Sequence, residues 1–357
     1  MMALPSKAGS RKTLFLQGVN MRKPANYSLV IKLTAVFCLL CCFFFLLGVT
    51  KPAFSEYSLA KFEPEHGCYL GAYVLQDEYI NGSMDTFNQL TGKKHASFFS
   101  YFGYKEGSLV DLVKWLIKVK DADAAPHLAL EPNKGLAEVR DDPYLHELAA
   151  ILNGIKGPVF LRFASEMNGD WTPYSGNPKK YIEKWRLVHD IMEKEAPNVI
   201  MVWTVFTFPE WTIMSYYPGD EYVDWVGVNV YNVIYHNNNK KRVAKHEDPL
   251  QLMDFVYKKF SSKKPIQISE FGASHYTITD NEYYLDFAVS KISRMYEGIK
   301  NSHPRVKSIF YFDVNNLANA PEGRQINNYS ITEQEKILNV YKKLIADPYF
   351  LSSIDKA

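Results

Sequence analysis

Residues 158–171 read PVFLRFASEMNGDW and join a short apolar run to a polar segment that carries a carboxylate. Residues 158–163 have the β-branched and aromatic content of a buried strand, and Glu166 follows this run by three residues. The same succession recurs along the chain. It predicts strands at 69–74, 96–101, 126–130, 158–163, 199–205, 223–228, 265–269 and 306–312.

Longer segments with a helical period separate these strands. They include 108–120 (SLVDLVKWLIKVK), 178–195, 249–260 and 281–300, and a last helix is predicted at 333–345. Alternating strands and helices indicate parallel strands joined by crossovers, and strands that are apolar throughout are typical of burial on both faces. We therefore predict an α/β fold, a single (β/α)8 TIM barrel. An open doubly wound sheet is less favoured, because the first strand–helix junction lacks a phosphate-binding glycine motif.

The N-terminal part of the chain differs from the rest in charge. Seven Lys and Arg residues precede Glu56, the first acidic residue, so the net charge of +2 for the whole chain becomes −5 after Ser55. Residues 33–49 (LTAVFCLLCCFFFLLGV) are uncharged and mostly apolar. This pattern predicts an export signal or a membrane anchor at 1–55, followed by a barrel domain at 56–357.

Two outcomes remain open for this segment. Cleavage after Ser55 would give a secreted domain, whereas an uncleaved segment at about 29–49 would anchor the domain at the extracytoplasmic face of the membrane. Met21 offers a second start with a shorter basic lead.

Composition excludes several other classes of protein. The chain of 357 residues is 47% apolar and 22% charged, which favours a large core over disorder. The acidic domain has no basic stripe, so nucleic-acid binding is not expected. Cys68 is the only cysteine after the apolar run, which rules out an internal disulfide in the domain. We find no metal-ligand spacing and expect no cofactor.

Two glutamates follow strands that a barrel would place across from each other. Glu166 comes after the fourth strand, and Glu270 comes after the seventh, in the segment ISEFG at 268–272. Chemistry in such barrels takes place at the carboxyl ends of the strands. Two opposed carboxylates are what glycoside hydrolysis needs, because one protonates the leaving oxygen and the other attacks or activates water.

The sequence resembles glycoside hydrolase family 26, known for β-mannanases, within the clan of retaining (β/α)8 glycosidases. The family motif Arg-x-x-His-Glu-Met-Asn-Gly-x-Trp corresponds to RFASEMNGDW at 162–171, and Ser-Glu-Phe-Gly is present unchanged at 269–272. The resemblance implies that Glu166 is the acid/base and Glu270 the nucleophile. It also implies that Tyr231 hydrogen-bonds the nucleophile and keeps it ionised.

Several other residues are expected to support the site or bind substrate. Strand alternation points Arg162 into the barrel, where a carboxylate such as Glu270 would balance its charge. Trp171 offers a flat apolar ring that matches the C–H face of a sugar. The remaining candidates lie in the two motifs or near strand ends: Asn168, Asn229, Glu131, Trp203 and His275. Each of the last three could equally pack in the core.

One departure from the family pattern concerns the substrate. Ser165 stands where the family motif has His, and its hydroxyl makes shorter-ranged hydrogen bonds than an imidazole. We still expect a glycan substrate, but the change weakens the prediction of specificity for mannan. We expect a retaining endo-glycanase with a mannan-like β-1,4-linked substrate, and with xylan, mixed-linkage glucan or an exopolysaccharide as rivals. The alternative is a barrel that only binds glycan or assists exopolysaccharide assembly.

Overall fold

All eight predicted apolar runs form parallel strands in the computed structural model of the protein, which describes residues 58–354. The predicted signal or anchor lies outside these residues. Each strand pairs with the next, and the eighth pairs with the first, so the predicted barrel is confirmed. The strands are β1 (Cys68–Tyr73), β2 (Ser97–Gly103), β3 (Ala125–Glu131), β4 (Val159–Phe163), β5 (Val199–Phe206), β6 (Trp225–Asn232), β7 (Ile266–Ala273) and β8 (Val306–Phe312).

Side-chain alternation divides the strand residues into two cores. One residue in two points into the barrel, and these positions form an aromatic interior. The outward positions pack aliphatic side chains against the surrounding helices. The interior set includes Tyr69, Tyr73, Phe99, Phe160, Val202, Trp225, Phe310 and Phe312. This filled interior leaves the carboxyl ends of the strands as the place for a site.

The main helices lie between the strands. They are α1 (Met84–Thr91), α2 (Leu109–Asp121), α3 (Pro143–Asn153), α4 (Pro178–Glu195), α5 (Pro249–Leu252), α6 (Asp254–Phe260), α7 (Leu285–Ser302) and α8 (Glu335–Ile345). Three of them begin with an acidic or amide residue followed by proline, at Asp142, Asn177 and Asp248. Each of these side chains accepts a backbone N–H of the first turn. Within the described range, no helix is long and apolar enough to cross a membrane.

Two predicted helices differ from the structure. The helix predicted at 249–260 is broken at Met253, whose backbone (φ −97°, ψ 0°) departs from helical geometry. The helix predicted at 281–300 begins only at Leu285. Asn281 adopts a left-handed backbone, and Glu282–Tyr283 pairs as a short strand with Tyr276–Thr277. Helices α1 and α3 are further elements of the structure beyond those predicted.

Strands β6 and β7 each extend four residues beyond their predicted ends. Their pairing contains an irregularity: Val228 is opposite Ile268, but the next residue, Asn229, is opposite Glu270. Ser269 is therefore an extra residue in β7, which is a β-bulge. Bulges redirect the side chains that follow them, so this one bears directly on the site.

Candidate active site

The bulge in β7 turns Glu270 into the barrel. Ser269 points inward, because its hydroxyl contacts the hydroxyl of Thr204 and donates to the side-chain amide oxygen of Gln267. Simple alternation would then send Glu270 outward. Instead its carboxylate accepts hydrogen bonds from groups on three other strands, while Phe271 packs outward against Tyr296. Glu270 thus lies inside β7 rather than after it, which corrects the predicted strand end.

Three donors converge on the carboxylate of Glu270, which is 5% exposed. Arg162 Nη2 and the hydroxyl of Tyr101 donate to Oε1, the latter at 2.5 Å, and the hydroxyl of Tyr231 donates to Oε2. Burial and then the charge of Glu270 raise the pKa values of Tyr101 and Tyr231, so both phenols keep the protons that they donate. Glu270 therefore accepts hydrogen bonds from one cation and two neutral phenols, which hold its carboxylate in place.

Arg162 is completely buried within the barrel, as alternation along β4 predicts. Its guanidinium carbon lies 4.7 Å from the ring centroid of Phe99 and 5.3 Å from that of Tyr101. Burial is the largest single influence and opposes its charge, but the attractions of Glu270, Tyr101 and Glu131 together outweigh burial and raise the pKa of Arg162. The predicted partnership of Arg162 with Glu270 is therefore present as a buried ion pair.

Glu166 occupies an unusual backbone conformation just beyond β4. Its φ is 61° and that of Ala164 is 51°, both in the left-handed region that non-glycine residues rarely adopt. The segment is fixed at both ends, because the N–H of Ala164 donates to Leu130 O on β3 and that of Glu166 donates to Thr204 O on β5. Such strained backbone at a cleft is characteristic of functional sites.

The carboxyl of Glu166 accepts hydrogen bonds from two neutral donors. Asn229 Nδ2 donates to Oε1 at 2.8 Å, and Trp171 Nε1 donates to Oε2 at 2.9 Å. Burial, followed by the charge of Glu270, raises the pKa of Glu166 to about 7, although these two donors and Arg162 act in the opposite direction. A substantial fraction of Glu166 is therefore protonated at neutral pH.

Asn229 connects the two glutamates. Its amide nitrogen donates to Glu166, and its amide oxygen lies 3.4 Å from Arg162 Nη1. The second terminal nitrogen of Arg162, Nη2, donates to Glu270. One chain of contacts therefore runs from Glu166 to Glu270 across strands β4, β6 and β7. The sequence prediction that these residues meet at one site agrees with this placement.

Glu131 and Ser165 hold the Glu166 segment in position. Glu131, at the end of β3, accepts the backbone N–H of Ser165 at 3.2 Å and the hydroxyl of Tyr174 at 2.5 Å. The same Tyr174 hydroxyl lies 2.8 Å from the carbonyl oxygen of Ser165. Burial raises the pKa of Glu131. Its contacts orient the backbone next to Glu166, which is a positioning role.

Asn168 and Trp171 lie on the same segment but differ in what they contact. The amide of Asn168 is occupied by the backbone of Phe206 and Pro209, so it joins the β4 segment to the end of β5. Trp171 is 39% exposed, and its ring lies over Gly169, where an added Cβ would come within 2.4 Å of the indole. Glycine at 169 is what allows this ring to reach Glu166.

Trp203 and His275 pack away from the cleft, which is one of the two outcomes that the sequence left open for them. Trp203 lies at an outward position of β5 and packs, completely buried, against Tyr217 and Phe260. His275 is 1% exposed and stacks on Tyr283 in the small sheet that follows β7. Strand parity could have excluded Trp203, because Val202 beside it points inward.

Tyr101 is the important residue that the sequence predictions omitted. It ends the predicted second strand and is two residues beyond the inward-facing Phe99. The same alternation that placed Arg162 therefore places Tyr101 at the mouth of the barrel. Its contact with Glu270 depends on the bulge in β7, for which the sequence carries no clear signal.

Comparison with known proteins agrees with this arrangement. The model of glycosyl hydrolase family 26 matches residues 115–304, which is more than half of the chain and includes both glutamates. The chain belongs to glycosyl hydrolase family 26. A family 26 protein of Muricauda sp. MAR_2010_75, GH26C, superposes with a TM-score of 0.58 at 14% identity, covering 80% of this chain and 87% of that one. This likeness shows the shared barrel.

Curated relatives of the family 26 chain carry different substrate names. A β-1,3-xylanase of Alcaligenes sp. is 25% identical over 43% of this chain and 31% of the relative. A mannan endo-1,4-β-mannosidase A and B of Caldalkalibacillus mannanilyticus is 26% identical over 43% of this chain and 27% of the relative. The aligned parts span a third or less of these relatives. The matching family is described as one of glycosyl hydrolases.

Proposed function

We propose that this family 26 protein is a retaining, endo-acting glycoside hydrolase that cleaves a β-linked polysaccharide, with Glu270 as nucleophile and Glu166 as acid/base. The observation that carries the proposal is the contrast between the two carboxyl groups. Glu270 accepts from a cation and two phenols, whereas Glu166 has a pKa raised to about 7. One carboxyl suits attack, and the other suits proton donation.

The proposed reaction has two steps. Glu270 attacks the anomeric carbon as the bond to the leaving oxygen breaks, and Glu166 gives its proton to that oxygen. Glu166 is then a carboxylate, which takes a proton from water while the water oxygen attacks the anomeric carbon and releases Glu270. This sequence needs carboxyl groups about 5–5.5 Å apart and keeps the anomeric configuration.

A β-mannan is the first substrate to test, and β-1,3-xylan and mixed-linkage β-glucan follow. The family and the mannosidase relative support a mannan, whereas the xylanase relative and Ser165 in place of the motif His leave room for the others. A barrel that only binds glycan is not favoured, because both carboxyl groups have the contacts that catalysis would need.

Proton NMR of the first product tests the proposal. The purified domain should release oligosaccharides from at least one polysaccharide of this panel, with the anomer of the substrate formed first. An inverted anomer would exclude Glu270 as nucleophile. An absence of hydrolysis across the panel, by folded protein at pH 5–7, would count against an enzyme of this substrate class.

A further inference from the structure

The loop between β5 and β6 carries two exposed aromatic rings that the mechanism does not use. Trp211 is 75% exposed, more than any other large apolar residue in the described part of the chain, and Phe208 is 59% exposed. Their rings are perpendicular, with centroids 5.0 Å apart. Because exposed aromatic surface of this size contributes nothing to the core, a ligand is the natural explanation for it.

This loop is fixed to the segment that carries Glu166. Asn168 accepts the backbone N–H of Phe206 and donates to the carbonyl oxygens of Phe206 and Pro209. The hydroxyl oxygen of Thr212 lies 3.0 Å from the carbonyl oxygen of Asn168 and 3.0 Å from that of Pro209. The two rings are therefore held in a defined position relative to the acid/base, and binding to them would cost little conformational entropy.

Aromatic rings also continue from the acid/base into this loop. The indole of Trp171 contacts Glu166 and packs edge-on against Phe206, with centroids 5.2 Å apart. Beside Phe208 lies an open groove of about 330 Å³. Apart from Phe208 and Leu252, the residues that line it have polar side chains: Thr207, Glu210, His246, Glu247, Asp248 and Gln251. Flat apolar rings beside hydrogen-bonding groups match a sugar, whose C–H faces are apolar and whose edge carries hydroxyls.

The proposed role of Glu166 indicates which part of the substrate this surface would contact. A general acid contacts the leaving oxygen, so a surface joined to the loop of the acid lies on the leaving-group side of the cleaved bond. We propose that Trp211 and Phe208 form a binding platform for the leaving-group part of a β-linked glycan. This inference rests on the proposed function and adds a site to it.

The test compares a long substrate with a short one. The long substrate is β-1,4-mannohexaose, or the β-1,3-xylan or β-glucan hexasaccharide if that is the one cleaved. The short substrate is a 4-nitrophenyl glycoside of the same sugar, whose leaving group is too small to reach Trp211. The quantity measured is the ratio of kcat/KM for the long substrate to kcat/KM for the short one, in Trp211→Ala, Trp211→Phe and the control Ile117→Ala. Ile117 is 52% exposed on α2.

Trp211→Ala should lower this ratio about tenfold or more, because the variant loses the apolar contact between the indole and the sugar. Trp211→Phe, which keeps a ring, should lower it less than threefold, and Ile117→Ala should leave it at the parental value. Calorimetry in a Glu270→Gln background should show the same order in Kd for the hexasaccharide. A parental ratio and Kd for Trp211→Ala would overturn the platform while leaving the proposed function intact.

Two further outcomes separate the alternatives. Binding of the hexasaccharide that depends on Trp211, without hydrolysis of any panel substrate, would refute the proposed function and support a glycan platform. A dimer in analytical ultracentrifugation that is lost in Trp211→Ala, with the ratio unchanged, would overturn the proposal in favour of a second copy of the chain as the occupant.

Discussion

Glu166 and Glu270 are the same residue type in the same cleft, yet their surroundings are opposite. Around Glu270 stand a buried guanidinium and two phenols, all of them donors. Around Glu166 stand an amide and an indole, and burial dominates its pKa. In the proposed mechanism, the number and charge of the donors, rather than the carboxyl group itself, therefore divide the roles of nucleophile and acid.

The backbone contributes to this difference. Glu270 is brought inward by an extra residue in a strand, whereas Glu166 is brought inward by a left-handed turn after one. Both features depart from regular geometry, and each supports one carboxyl group of the pair. Substitutions that act on one side of this comparison and leave the other intact can test it.

The largest effect is expected from Glu270→Gln. The amide keeps the shape of the side chain but cannot form the glycosyl-enzyme, so kcat should fall by about 10⁴-fold or more whatever the leaving group. Rates on the polysaccharide and on an aryl glycoside would both be measured. Retention of near-parental rates by the folded variant would assign the nucleophile elsewhere.

Glu166→Ala should fail in a different way. On the polysaccharide we expect a loss of about 10²–10⁴-fold, because the departing sugar alkoxide needs a proton. An aryl glycoside with a good leaving group should still form the glycosyl-enzyme and then stall, giving a burst. Azide, which attacks without a general base, should speed the second step. A variant equally inactive on both substrates, with neither burst nor azide rescue, would contradict the acid/base role.

Arg162→Met tests the ion pair that Arg162 forms with Glu270, the proposed nucleophile. It leaves the carboxylate of Glu270 buried without its cation, which should lower the free energy of unfolding by about 3–5 kcal/mol. Urea unfolding measures this change. The double variant Arg162→Met/Glu270→Gln removes both charges and should recover much of the loss. If the double variant is as unstable as the single one, the effect comes from packing around Phe99 rather than from charge.

The same comparison shows how far the sequence predicts this molecule. The eight strands could be predicted because a strand that is buried on both faces is apolar at consecutive positions. The two motifs locate both glutamates. The ends of β6 and β7 could not be predicted, because polar residues interrupt the apolar pattern there. Asn229, Tyr231 and Glu270 lie within strands whose continuous apolar runs end earlier. Pairing across the barrel, which is a tertiary effect, extends them.

The direction of most strand side chains can be predicted from regular alternation. Regular alternation correctly directs Arg162 inward and would have included Tyr101 and excluded Trp203. It fails for Glu270, since a bulge shifts the parity within β7 by one residue. The most important side chain of the proposed mechanism is thus the one whose direction cannot be obtained from parity.

The smallest effect, and the one that sharpens the comparison most, is expected from Trp171→Phe. The indole N–H stabilises the ionised form of Glu166, so its removal should raise the pKa of Glu166 further above the present value of about 7. The acid acts when protonated, and activity is therefore lost as pH rises through this pKa. The alkaline limb of kcat/KM should move to higher pH by about one unit, since a hydrogen bond to a charged group contributes about 1.5 kcal/mol.

Trp211→Phe, the same substitution without contact to Glu166, is the control and should keep the parental limb. An alkaline limb that stays in place or moves to lower pH in Trp171→Phe would mean that Glu166 is not the group titrating there.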